Sequence, residues 1–86
     1  MPLITIQTVK GILDAEQKRK LHERITDLMV EIEGQGDEAL RKLVWIKIEE
    51  QEPAHWSLGG MSPTTDYVAK TYGPIGPDGK RLAKAR

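Results

Sequence analysis

Pro2 is the residue whose position most clearly suggests chemistry. Removal of the initiator methionine, usual before a small residue, leaves Pro2 as a secondary amine at the chain start. Such an amine is a general base once it is neutral near pH 7, and burial in an apolar pocket achieves this by disfavouring the cation. With Met1 retained, the same nitrogen is a tertiary amide and accepts no proton. Other chemistries find less material. His22 and His55 stand alone, so no paired-histidine metal motif occurs, and neither GxGxxG nor a P-loop is present. No serine or threonine has a legible base beside it. Cysteine is absent, which excludes a disulfide framework, a thiolate zinc site and a cysteine nucleophile. Among these residues Pro2 is the one that stands out.

The elements that must position Pro2 are short and ordered. Leu3 to Val9 is β-branched and apolar on both faces and predicts a strand, ended by Lys10-Gly11. Asp14-Ala-Glu-Gln17 has the spacing of a capping box and opens a helix. Leu21, Ile25, Leu28, Met29 and Ile32 then form one apolar stripe at helical period, expected as core, and Gly34-Gln-Gly36 stops the helix. Asp37 to Lys42 reads as a short polar connection with room for one helical turn. Leu43 to Ile48 predicts a second strand, with Val44, Ile46 and Ile48 on one face and Leu43, Trp45 and Lys47 on the other. Glu49 to Pro53 reads as leaving the sheet, and Trp56-Ser-Leu-Gly-Gly60 as a turn that re-aims the chain.

Strand, helix, strand is a βαβ unit of α+β class, with parallel strands and a right-handed crossover. Residues 1–61 make up this unit. Residues 62–86 form an extension rich in Pro and Gly, with a short helix over Asp66 to Tyr72 and a basic, mobile tail from Lys80 to Arg86. One helix covers only one face of a sheet. The other face, with Leu3, Trp45 and Val9, needs a cover, and a second copy of the chain is the simplest one. An 86-residue chain without disulfides is also of the size at which oligomerisation commonly supplies stability.

Charge narrows the partners. Thirteen Lys and Arg balance thirteen Asp and Glu, for a net charge of zero, which argues against nucleic acid as the partner and leaves the basic tail a weak candidate arm. No apolar run approaches the ~20 residues of a membrane span, and no basic–apolar–small leader opens the chain. A soluble, cytoplasmic protein is the expectation.

Pro2, Gly11, the Asp-Ala-Glu-Gln-Lys18 helix start, the Leu-Val-Trp-Ile-Lys-Ile48 strand and Trp-Ser-Leu-Gly-Gly60 come one after another in order. Together they resemble the 4-oxalocrotonate tautomerase family of the tautomerase superfamily, over residues 2 to 61. The resemblance implies βαβ subunits that associate as dimers and often hexamers. It also implies an amino-terminal proline that shuttles a proton in keto–enol or double-bond isomerisation, without cofactor or metal. Pro2 would be that base, and Trp56 falls where the family has an aromatic wall. Two departures bear on substrate. The best-studied members carry an arginine just after the first-strand glycine, where this chain has Ile12, and another in the second strand, where it has Trp45. Those arginines grip carboxylates and stabilise the developing enolate. Without them, a small enol or keto compound other than a dicarboxylate is implied, contacted by Ile12, Trp45 and Trp56, with Lys47 as a candidate cation for its oxygen. A solvated edge lysine is the commoner role for Lys47. No acidic residue stands where dehalogenase or decarboxylase relatives activate water, which disfavours hydration. The alternative is a tautomerase-like scaffold that lost activity with its arginines and serves as a binding or structural protein.

Overall fold

The computed structural model describes residues 2–82. Strand β1 (Leu3–Val9) leads through a tight loop into helix α1 (Ala15–Ile32). A 3-10 turn over Glu38–Leu43 returns the chain to strand β2 (Trp45–Gln51). A second 3-10 turn (Pro53–His55) and a tight hairpin precede helix α2 (Thr65–Tyr72). The two strands are parallel, with Leu3 opposite Trp45, Ile4 opposite Ile46 and Val9 opposite Gln51.

The start of α1 is dictated by its residues. Asp14 is extended, its carboxylate accepts the Gln17 backbone N–H at 2.8 Å, and the Gln17 side chain accepts the Asp14 N–H at 3.0 Å. Both orphan donors are thus satisfied reciprocally. At the other end Gly34 is buried, and a Cβ there would lie 2.8 Å from the Val30 carbonyl oxygen, so only glycine fits. The chain then reverses through Gln35 and Gly36, both at positive φ.

Three expectations are corrected. First, β2 begins two residues later than Leu43 and runs past Ile48 to Gln51. The 3-10 turn holds Leu43 and its cap Val44, whose N–H donates to the Arg41 carbonyl at 3.2 Å. At the far end β1 templates the ladder as far as Val9, and Lys10 N–H donates to the Gln51 carbonyl at 2.8 Å. Glu49 and Glu50 stay in the sheet by pairing with Lys47 at 3.0 Å and Lys18 at 2.5 Å. Second, the helix stripe is only partly core. Leu21, Ile25 and Met29 are half-buried and Val30 is buried, but Leu28 and Ile32 are 50% and 67% exposed. The sheet and the 3-10 turn press on an arc rotated toward Thr26 and Val30. Third, the start of the basic tail is held in place: Ile75 and Arg81 bridge antiparallel, and Arg81 reaches back to the start of α1. Ala83 to Arg86 lie outside the described residues.

The alternation along the sheet separates two faces. Ile4, Ile6, Ile46 and Ile48 turn toward α1 and are half-buried, whereas Leu3, Thr5, Trp45 and Lys47 are exposed on the outer face. Among the described residues only Val30, Pro53 and Val68 are buried apolar side chains. The radius of gyration is 15.9 Å, against about 12 Å for a compact domain of this length. The accessible surface is 6425 Å², against about 5,100 Å² for a compact monomer of this mass.

Candidate active site

Pro2 stands on the first rung of the sheet. Its carbonyl accepts the Trp45 backbone N–H at 3.0 Å, and a proline is tolerated there because the first residue of a strand owes the ladder no N–H. The residue is half-buried beside a recess of about 90 Å³. Met29 and Val30 from α1, with Leu40, Leu43 and Val44 from the returning chain, give that recess apolar walls. Apolar walls raise the cost of a charged ammonium and favour a neutral imino nitrogen. Glu33 also lines the recess and works the other way, since a carboxylate nearby favours the cation. The recess has room for only a few waters at ~30 Å³ each, less than a substrate needs.

Trp45 is one hydrogen bond from Pro2, but its side chain lies on the outer face, 55% exposed beside Leu3 at 59%. Lys47 is next on that face, opposite Thr5, exposed and paired with Glu49 at 3.0 Å. That hydrogen bond from Lys47, then its charge, holds the Glu49 carboxyl below the usual carboxylate range, with a further contribution from the Gln7 amide. Lys47 therefore already has an anion at its ammonium.

Ile12 and Trp56 lie at the other end of the strand pair. Ile12 N–H donates back to the Val9 carbonyl at 3.3 Å, and the Trp56 indole N–H reaches the Gln51 carbonyl at 3.4 Å. Seven-residue strands separate these from the Pro2 end, roughly 20 Å at ~3.3 Å per residue. A single chain thus brings Pro2 and Trp45 together, with Lys47 further along the same face, and holds Ile12 and Trp56 apart from them. His22 and His55 are both exposed, and the His55 ring meets the Gln51 side chain at 3.4 Å. No cluster of three or more His, Asp or Glu suited to a metal occurs among the described residues.

Residue-by-residue reading missed two features. Leu40, in the segment read as polar connection, and Leu43, read as the start of the second strand, wall the Pro2 recess; their spacing of three was the available signal. Arg81 is the other. One terminal nitrogen donates to the Tyr72 and Gly73 carbonyls at 2.5 and 2.8 Å, and the other donates to the Ile12 carbonyl and to Gln17 Oε1 at 2.8 Å. Its Nε lies 3.7 Å from Asp14. A guanidinium does arrive beside Ile12, but its donors are engaged by the protein itself. Nothing local to Arg81 signals a contact 69 residues away.

Comparison with known proteins agrees with this fold. The tautomerase enzyme family matches residues 2–66, and the chain belongs to that family. Among solved structures it is similar to DmpI from Helicobacter pylori, at 32% identity over 71% of this chain and 88% of that one, with a TM-score of 0.56. No curated protein matches it. Membership carries tautomerase-type isomerase activity in general terms, and proteins of this family are typically oligomers. No helix among the described residues is long and apolar enough to cross a membrane.

Proposed function

We propose that the protein is a cofactor-independent tautomerase in which Pro2, freed of Met1, is the general base. Its nitrogen takes a proton from an enol hydroxyl or an acidic carbon and returns it to another atom of the conjugated system. The observation that carries this reading is the half-buried Pro2 against the apolar walls of Met29, Leu40 and Leu43. The substrate is a small enol or keto compound other than a dicarboxylate. Ile12 and Trp45 bring no charge, Lys47 is bound to Glu49, and the Arg81 donors are engaged by carbonyls and Gln17.

The working site takes residues from two copies. Pro2 and Trp45 lie at one end of the strand pair and Ile12 and Trp56 at the other, so a pocket containing both sets needs a neighbour running the opposite way. The exposed outer face, with Leu3 and Trp45, is the surface such a neighbour would cover. Trp56 of one copy then excludes water from Pro2 of the next, which keeps the imino nitrogen neutral. Glu33 favours the second reading, a binding or structural scaffold with Pro2 held as a cation.

Intact mass first identifies protein lacking Met1. Ultraviolet absorbance then tracks ketonisation of phenylpyruvate enol and of 2-hydroxymuconate. Turnover of the first, little of the second, and a fall of about 10²–10⁴-fold in Pro2→Ala are expected for loss of a general base. Equal rates for the two proteins would remove Pro2 from the mechanism and leave the scaffold reading.

A further inference from the structure

A cavity larger than the Pro2 recess lies away from it, where the C-terminal segment crosses the start of α1. It measures about 630 Å³, within the ~300–1,000 Å³ typical of small-molecule sites. Leu13 and Pro53 on the βαβ side face Val68, Ala69, Pro74 and Ile75 on the other. Pro2, Ile12 and Trp56 are not among its lining residues. α2 and the segment after it extend beyond the family match at residue 66.

The walls are built rather than draped. Val68 is buried against Gly11, where a Cβ would come 3.1 Å from Val68 Cγ1. Gly79 packs on Ala15, where a Cβ would come 3.3 Å from the alanine methyl, and its carbonyl accepts the Ala15 N–H at 2.9 Å. Arg81, with its side chain 17% exposed, ties the Ile12 loop, the α1 cap and the end of α2 together. Three points of attachment enclose a space that the chain itself leaves unfilled.

The charges around that space are already matched. Lys10 pairs with Glu52 at 3.1 Å, and Lys18 with Glu50 at 2.5 Å. Asp14 accepts the Gln17 N–H at 2.8 Å and faces the Arg81 guanidinium. Lys10, Lys18 and Arg81 thus offset Asp14, Glu50 and Glu52. An ionic ligand would have to break one of these pairs to find a counter-charge, whereas an apolar one displaces water that has few partners on such walls. We propose that this cleft is a second binding site, for an uncharged, largely apolar small molecule of two or three rings.

The probe is N-phenyl-1-naphthylamine, neutral at pH 7, titrated into the full chain by fluorescence. Saturable binding at one probe per chain is expected. Thr65→Trp and Ala69→Trp, which project bulk into the cleft, should each weaken it at least tenfold. 2-Naphthol should compete, and naphthalene-2,6-dicarboxylate should not at a hundredfold higher concentration. Methyl NMR on the unaltered protein guards against a misfolded variant: Leu13, Val68 and Ile75 should shift most. Absence of binding, equal competition by the dicarboxylate, unchanged affinity in both folded variants, or shifts centred on Leu3 and Leu28 would each overturn the proposal.

Discussion

Serine in place of Trp45 tests the uncovered sheet face most directly. Trp45 is 55% exposed and stands in register with Leu3, itself 59% exposed. A tryptophan side chain presents about 250 Å², so about 140 Å² of Trp45 remains to be covered. At ~25 cal/mol per Å² this is about 3.5 kcal/mol per copy. A two-fold interface contains the patch twice, giving a ceiling of about 7 kcal/mol. Incomplete burial and the ordering of side chains reduce that figure. A third of it, about 2.3 kcal/mol, still raises the dissociation constant roughly 50-fold. The fold of the subunit should survive, because Trp45 meets Pro2 through its backbone N–H, which serine keeps. Light scattering behind size exclusion, from about 1 to 100 µM, reads the outcome. The unaltered protein should be an oligomer throughout, and Trp45→Ser should dissociate within the range. A monomeric parent, or a variant with the same concentration dependence as its parent, would refute the argument that this face is covered by another copy.

Other consequences rest on single contacts. Glu33→Gln removes the carboxylate beside Pro2, so the ionisation seen in the pH dependence of kcat/KM should move to lower pH; an unmoved profile would mean that solvent already screens Glu33. Gly34→Ala forces a methyl against the Val30 carbonyl, which cannot yield as a side chain would, and should cost about 1–3 kcal/mol, visible as a lower thermal midpoint. Acid should weaken the fold with a definite sign. Hydrogen bonds from Arg19, Arg41 and Lys47 hold the carboxyls of Glu16, Glu38 and Glu49 below their ordinary 4.5. Their contribution is complete above that value and lost as pH falls through the lowered ones. All three groups lie at the surface, Glu16 and Glu38 exposed and Glu49 half-buried, so circular dichroism during an acid titration should show a gradual decline below the carboxylate range rather than a sharp step.

The βαβ frame was legible because its signals are local. Asp14 and Gln17 sit at the spacing a capping box requires, Gly34 stands where a side chain has no room, and Leu3 to Val9 is a strand by composition alone. The misreadings came where another segment decides. Glu49 to Gln51 look like loop until β1 is laid beside them. Leu28 and Ile32 share the helical period of the buried residues, yet the sheet contacts a neighbouring arc. Arg81 reads as tail charge because the carbonyls it binds, at Ile12, Tyr72 and Gly73, are backbone groups with no signature in the residue types.

The candidate site shows the same division more sharply. Pro2 is a candidate by position and Trp56 by the family resemblance, but sequence order does not say how far apart they lie. Parallel pairing does. It sets the C-terminal ends of β1 and β2 side by side, so Ile12 and Trp56 share that end while Pro2 and Trp45 share the other. On the proposed function, chemistry that uses both ends is a property of two chains facing opposite ways, and the exposed Leu3–Trp45 face is the seam that would align them. On that geometry assembly and isomerisation are one requirement. A change that opens the seam should silence Pro2 even though the imino nitrogen is untouched, because the proposed aromatic wall would belong to the neighbour.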